Sequence, residues 1–135
     1  MKPKVTGIGG IFYKARDPGA LGVWYRDHLG FDVEAWGGTA FRSRDEAGKA
    51  LYTIWNAFAH DTKYFDPSAK DFMLNLRVDD LDAMLTALRS KGAQVLARRE
   101  ESEYGKFGYV LDPEGTLLEL WEPPAVDPVA TSTSG

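Results

Sequence analysis

A run of glycines, apolar residues and aromatics from Val5 to Ala15 predicts a strand over Ile8 to Ala15, which Arg16-Asp17-Pro18-Gly19 interrupts. Asp17 suits a helix N-cap and Pro18 the first helical position. Leu21, Trp24, Tyr25 and Leu29 then recur at helical spacing until Gly30 stops the helix. The same order returns from Phe72 to Val78, through Asp79-Asp80, into the apolar stripe Leu81, Met84, Leu85 and Leu88, and ends at Gly92. Setting Gly10 against Met73 aligns Phe12 with Asn75, Lys14 with Arg77 and Asp17 with Asp80, so the chain carries an internal repeat.

Each repeat continues into short strand candidates. In the first these are Phe31 to Trp36, Thr39 to Ser43 and Leu51 to Trp55; in the second, Val95 to Arg98, Phe107 to Leu111 and Thr116 to Trp121. Gly37-Gly38 and Asp112-Pro113-Glu114-Gly115 supply turns. The pattern predicts an α+β protein with a first module over 1–58, a linker over 59–70, a second module over 71–124 and a disordered tail over 125–135, the modules sharing one compact unit.

Composition narrows the picture. A chain of 135 residues, 44% apolar, has material for one core. Its net charge of -4, with signs mixed along the sequence, offers no broad basic stripe for nucleic acid. Absence of cysteine removes disulfides and thiolate chemistry. No apolar stretch is long enough to span a membrane and no secretory leader precedes the first strand, so a cytoplasmic location is expected.

The punctuation of the repeat resembles the vicinal oxygen chelate superfamily, which includes glyoxalase I, extradiol dioxygenases and bleomycin- or fosfomycin-resistance proteins. The residues carrying the resemblance are Ala15-Arg16-Asp17, Trp24 to Phe31, Arg77 to Asp82, Asp112 to Gly115 and Glu119 to Glu122. It implies two βαβββ modules forming a curved mixed sheet around a cavity. A helix behind the sheet would claim Leu74, Leu76 and Val78, which turns Met73, Asn75 and Arg77 toward the cavity, with Gly10, Phe12 and Lys14 matching them in the first module.

Metal-using members take ligands from the opening and closing strands of both modules, and the matching positions here are Gly10, Thr53, Met73 and Glu119. Only Glu119 is a good hard-metal donor, so no metal or other cofactor is expected. His28 and His60 are the only histidines and read as helix-end and linker residues. Glu119 is the sharpest catalytic candidate because a buried carboxylate needs a partner or becomes a base, and Arg77, Lys14 and Tyr104 are possible partners. Asn75, Arg77, Lys14, Phe12, Trp55, Tyr104 and Phe107 are candidate ligand contacts, the last two on a Gly-punctuated segment that is either a hairpin or a lid.

The leading expectation is a metal-independent small-molecule-binding protein of glyoxalase/bleomycin-resistance type. A glyoxalase-like lyase or isomerase with Glu119 as general base is the alternative, and a non-catalytic structural or regulatory dimer the third reading. Expected partners are a small molecule and a second copy in a homodimer, with neither nucleic acid nor membrane.

Overall fold

A computed structural model describes residues 2–125 of the chain. Each half opens with a strand that feeds a helix: β1 (Val5–Ala15) leads to α1 (Pro18–Leu29), and β4 (Phe72–Val78) leads to α2 (Leu81–Ser90). Aspartates fix both helix starts, Asp17 accepting the Ala20 amide and Asp80 the Ala83 amide at 3.0 Å each. These bonds satisfy amides that a helix cannot pair internally. Gly30 ends α1 at a φ of 71°, a left-handed backbone that glycine takes without strain.

β2 (Thr39–Arg44) and β3 (Ala50–Ala59) complete the first half; β5 (Gln94–Ser102), β6 (Gly105–Leu111) and β7 (Leu117–Glu122) complete the second. All seven form one mixed sheet in the order β2-β3-β1-β4-β7-β6-β5. The opening strands lie antiparallel at its centre, Gly10 opposite Asn75 and Phe12 opposite Met73. Outward, each pairs in parallel with the closing strand of its own half.

Two expectations are corrected. Phe31 to Trp36 is not a strand, because the chain turns back there: the Glu34 amide donates to the Gly38 carbonyl at 2.8 Å and the Gly37 amide to the Glu34 carbonyl at 2.9 Å. The first half therefore has three strands among the described residues. Nor does the sheet curve around a cavity. β2 and β5 end it as separate edges, whereas closure requires the outermost strands to pair.

α2 covers one face by packing Leu81 and Leu85 against Val78, Val110 and Leu120. Each such burial stabilises the fold by roughly 1.5–3 kcal/mol. α1 sits over the other end of that face through aromatics, with the Tyr25 and Phe31 ring centroids 4.6 and 5.4 Å from that of Trp55. The opposite face carries Phe12, Met73, Tyr109 and Leu117, and the linker between the halves crosses it with Phe65 fully buried among them. Ser68 pins the linker by donating to the Gly115 carbonyl at 2.5 Å. The linker thus covers part of this face, and the rest is open.

Among the described residues no helix is long and apolar enough to cross a membrane. The tail expected over 125–135 lies, beyond Ala125, outside the described residues.

Candidate functional site

The open part of the face is a cleft of about 990 Å³. Alternation along the paired strands β4 and β7 sends Asn75, Arg77, Glu119 and Trp121 into it, and Phe12 joins them from β1. Small residues make the room. A Cβ at Gly9 would run into Asn75 Oδ1 and come within 2.9 Å of Trp121 Cε3.

Glu119 is only 4% exposed, yet no lysine, arginine or histidine nitrogen reaches it within 4.0 Å among the described residues. Neutral donors hold it instead. Asn75 Nδ2 donates to Oε1 at 2.7 Å, while the Tyr64 and Tyr109 hydroxyls donate to Oε2 at 2.5 and 2.8 Å. Three such bonds fix the orientation of the carboxylate. Burial first, and the Glu119 charge second, push both phenols above their ordinary value, so they stay protonated donors at neutral pH. Arg98 backs the pair, its guanidinium 3.7 Å from the Tyr109 ring centroid and 5.0 Å from that of Tyr64.

Two buried groups on the cleft floor have no hydrogen-bond partner among the described residues: Asn75 Oδ1 and Arg77 Nε. Arg77 Nη1 donates to the Tyr52 carbonyl at 2.7 Å, and burial draws its guanidinium below the ordinary value. Tyr104 and Phe107 form one wall. They belong to a tight β5–β6 hairpin, where Trp121 Nε1 donates to the Tyr104 carbonyl at 2.7 Å and the Phe107 ring stacks on Trp121 with centroids 6.1 Å apart.

Six of the sequence-derived candidates thus meet in the cleft: Phe12, Asn75, Arg77, Tyr104, Phe107 and Glu119. Lys14 and Trp55 are not among the lining residues. Lys14 sits beneath the linker, its ammonium 5.8 Å from the Phe65 ring centroid. Trp55 alternates to the helix face, donating from Nε1 to the Tyr13 hydroxyl at 3.0 Å, and Ile54 takes the cleft-facing place. Neither Lys14, Arg77 nor Tyr104 partners Glu119; Tyr64 and Tyr109, named for no such role, do. Tyr109 stands directly across from Glu119 in the β6–β7 register, which the short turn between those strands makes legible. Tyr64 arrives by docking of the linker and leaves no local trace in sequence.

The register also relocates one position of the family's metal shell. Phe12 pairs with Asn56 as Asn75 pairs with Glu119, so Asn56, not Thr53, is the counterpart of Glu119. Thr53 points to the other face and donates to the Ile8 carbonyl at 3.2 Å. A metal centre of the family type does not fit these residues: Gly10 has no donor, Met73 is fully buried in the core and Asn56 is a neutral amide, which leaves Glu119 as the one carboxylate among the four positions. Among the described residues no cluster of three or more His, Cys, Asp or Glu side chains is placed to hold an ion.

A family model described as "Glyoxalase-like domain" matches residues 10–121. Among solved structures, a methylmalonyl-CoA epimerase from Mycobacterium tuberculosis is 23% identical, with 94% of this chain and 93% of that chain covered and a TM-score of 0.57. A Streptomyces coelicolor methylmalonyl-CoA epimerase, bound to 2-nitronate-propionyl-CoA, is 21% identical over 90% of this chain and 100% of that one, with a TM-score of 0.63. A glyoxalase/bleomycin resistance protein/dioxygenase superfamily member from Vibrio splendidus 12B01 is 14% identical over 83% and 95%, with a TM-score of 0.56. At these identities the likeness establishes the fold. Comparison with curated proteins gives no match.

Proposed function

Because the chain belongs to the glyoxalase-like domain family of the vicinal oxygen chelate superfamily, a fold consistent with small-molecule binding, we propose that it is a lyase or isomerase that moves a proton on a small carbonyl compound. Glu119 is the general base. The observation that carries this reading is a carboxylate buried at the cleft floor with no lysine, arginine or histidine nitrogen within 4.0 Å among the described residues, held by three neutral donors. A structural ion pair would bring a cation to it; a base needs a fixed, ionised oxygen facing the substrate.

In this reading Glu119 Oε1 takes a proton from the carbon next to the substrate carbonyl. The C–H electron pair becomes the new C=C bond as the carbonyl π pair moves onto oxygen, and the Arg77 guanidinium, which lines the cleft, receives the developing enolate. Return of the proton at another position gives an isomerase, and departure of a β-substituent gives a lyase. The epimerases among the structural neighbours act, by their names, on methylmalonyl-CoA.

Glu119→Gln keeps the shape and removes the basic oxygen, so exchange of substrate hydrogen with deuterated solvent falls by roughly 10²–10⁴-fold. Ligand binding survives the change. Undiminished exchange in that variant defeats the assignment, and a ligand that binds with no exchange in the wild type points to sequestration without turnover, the reading that the aromatic lining would also serve.

A further inference from the structure

We propose that the first half supplies a subsite for a phosphoryl group at the far end of an extended substrate, resting on the reading of the cleft as the substrate site. Arg42 and Arg44 alternate onto the cleft face of β2, and Lys49 joins them from the turn before β3. With Arg77 they give the lining four cations against the carboxylates of Glu34 and Glu119, in a chain whose net charge is -4. A local reversal of sign in an acidic protein concentrates anions.

None of Arg42, Arg44 and Lys49 has a carboxylate within 4.0 Å among the described residues. The nearest acidic residue in sequence, Asp45, is committed to its own turn, where Oδ1 accepts the Ala47 and Lys49 amides at 2.9 Å each. Arg44 gives one N–H to the Gly48 carbonyl at 2.8 Å, which braces the guanidinium, and Arg42 lies 5.8 Å from the Tyr52 ring centroid. Two forks spaced two residues apart on a strand, about 7 Å, match the oxygens of a phosphate or pyrophosphate. Charges on an edge strand also discourage pairing with other chains, but that duty does not require them on one face.

The sheet order fixes the length of the ligand. β2 and β7 are separated by four strand spacings, about 19 Å along the sheet. A phosphorylated three-carbon compound cannot touch both Glu119 and the arginine pair, whereas an acyl group on a nucleotide-type pyrophosphate can.

The test is calorimetric titration of the intact protein with ADP, pyrophosphate, glycerol phosphate, malonate and adenosine. ADP and pyrophosphate bind, adenosine does not compete, and the Arg42→Gln/Arg44→Gln double variant loses roughly tenfold or more in affinity, as expected when charge-assisted hydrogen bonds are removed. Its thermal midpoint stays at the wild-type value. Unchanged ADP affinity in the double variant overturns the subsite, and malonate binding as tightly as pyrophosphate overturns the phosphoryl assignment. Glycerol phosphate binding as tightly as ADP overturns the extended substrate. Glu119→Gln retains ADP binding, so loss of the base reading and loss of this one are separately visible.

Discussion

α1 and α2 occupy matching places over the sheet, both started by an aspartate cap, yet they are held by different means. α2 anchors itself with Leu81 and Leu85, 0% and 3% exposed, while α1 buries only Gly22 and leaves Val23, Trp24 and Leu29 at 45%, 48% and 57%. A repeated sequence pattern therefore reproduced strand order and helix ends without reproducing the burial that stabilises them. The sharpest way to break this comparison is one substitution made in both helices. Leu81→Ala is expected to cost about 2–5 kcal/mol, since it opens a cavity in a packed core. Leu29→Ala should stay within about 0.5 kcal/mol, as surface changes do. Urea denaturation of the two variants checks the difference, and equal losses would mean that α1 is as firmly docked as α2.

The halves diverge again at their central strands. Phe12 and Asn56 stand in the first where Asn75 and Glu119 stand in the second, so only one half holds a carboxylate. A tyrosine sits in a polar cluster on each side. In the first half Tyr13 accepts from Trp55 Nε1 at 3.0 Å and donates to the Tyr25 hydroxyl at 2.7 Å, a network of neutral groups. In the second, Tyr109 donates to a buried charge. Tyr109→Phe should therefore cost about 1.5–3 kcal/mol and Tyr13→Phe about 0.5–1.5 kcal/mol, because hydrogen bonds to ions are the stronger class. The same denaturation experiment reads both, and the order of the two is the informative result.

Much of the fold was legible because it is encoded locally. Asp17, Pro18, Gly30 and Asp80 mark helix ends by chemistry that acts within a few residues, and alternation along β4 and β7 put Asn75, Arg77 and Glu119 on the correct face. What was not legible depends on long-range docking. Lys14 has the right parity for the cleft, but the linker lies over it; Thr53 stands in the family pattern beside Glu119, while the strand register gives that place to Asn56 and turns Trp55 toward α1. The strand that the pattern predicts over Phe31 to Trp36 is replaced by a turn at Gly37 and Gly38, and the sheet stays open because β2 and β5 do not meet. Such turns, registers and crossings are settled by tertiary contacts that no window of sequence contains.

The smallest effect, silent at neutral pH, separates the two tyrosine clusters most cleanly. Burial first, and the bond to Tyr25 next, push Tyr13 up to about 12, and burial with the Glu119 charge pushes Tyr64 and Tyr109 up as well. A raised value means that the folded state prefers the neutral phenol. The stability it contributes is complete below the unfolded value of about 10 and is lost as pH rises through about 12 for Tyr13, with Tyr64 and Tyr109 resisting in the same direction. Absorbance of tyrosinate at alkaline pH should accordingly show at least three of the six tyrosines ionising late, together with unfolding. Glu119→Gln removes the second cause for Tyr64 and Tyr109, so those two should move down while Tyr13 keeps its place. If all three move together, the clusters communicate through the central strands and the two halves are electrostatically one site; if Tyr13 stays fixed, the charge that organises the cleft is felt in the second half and its docked linker alone.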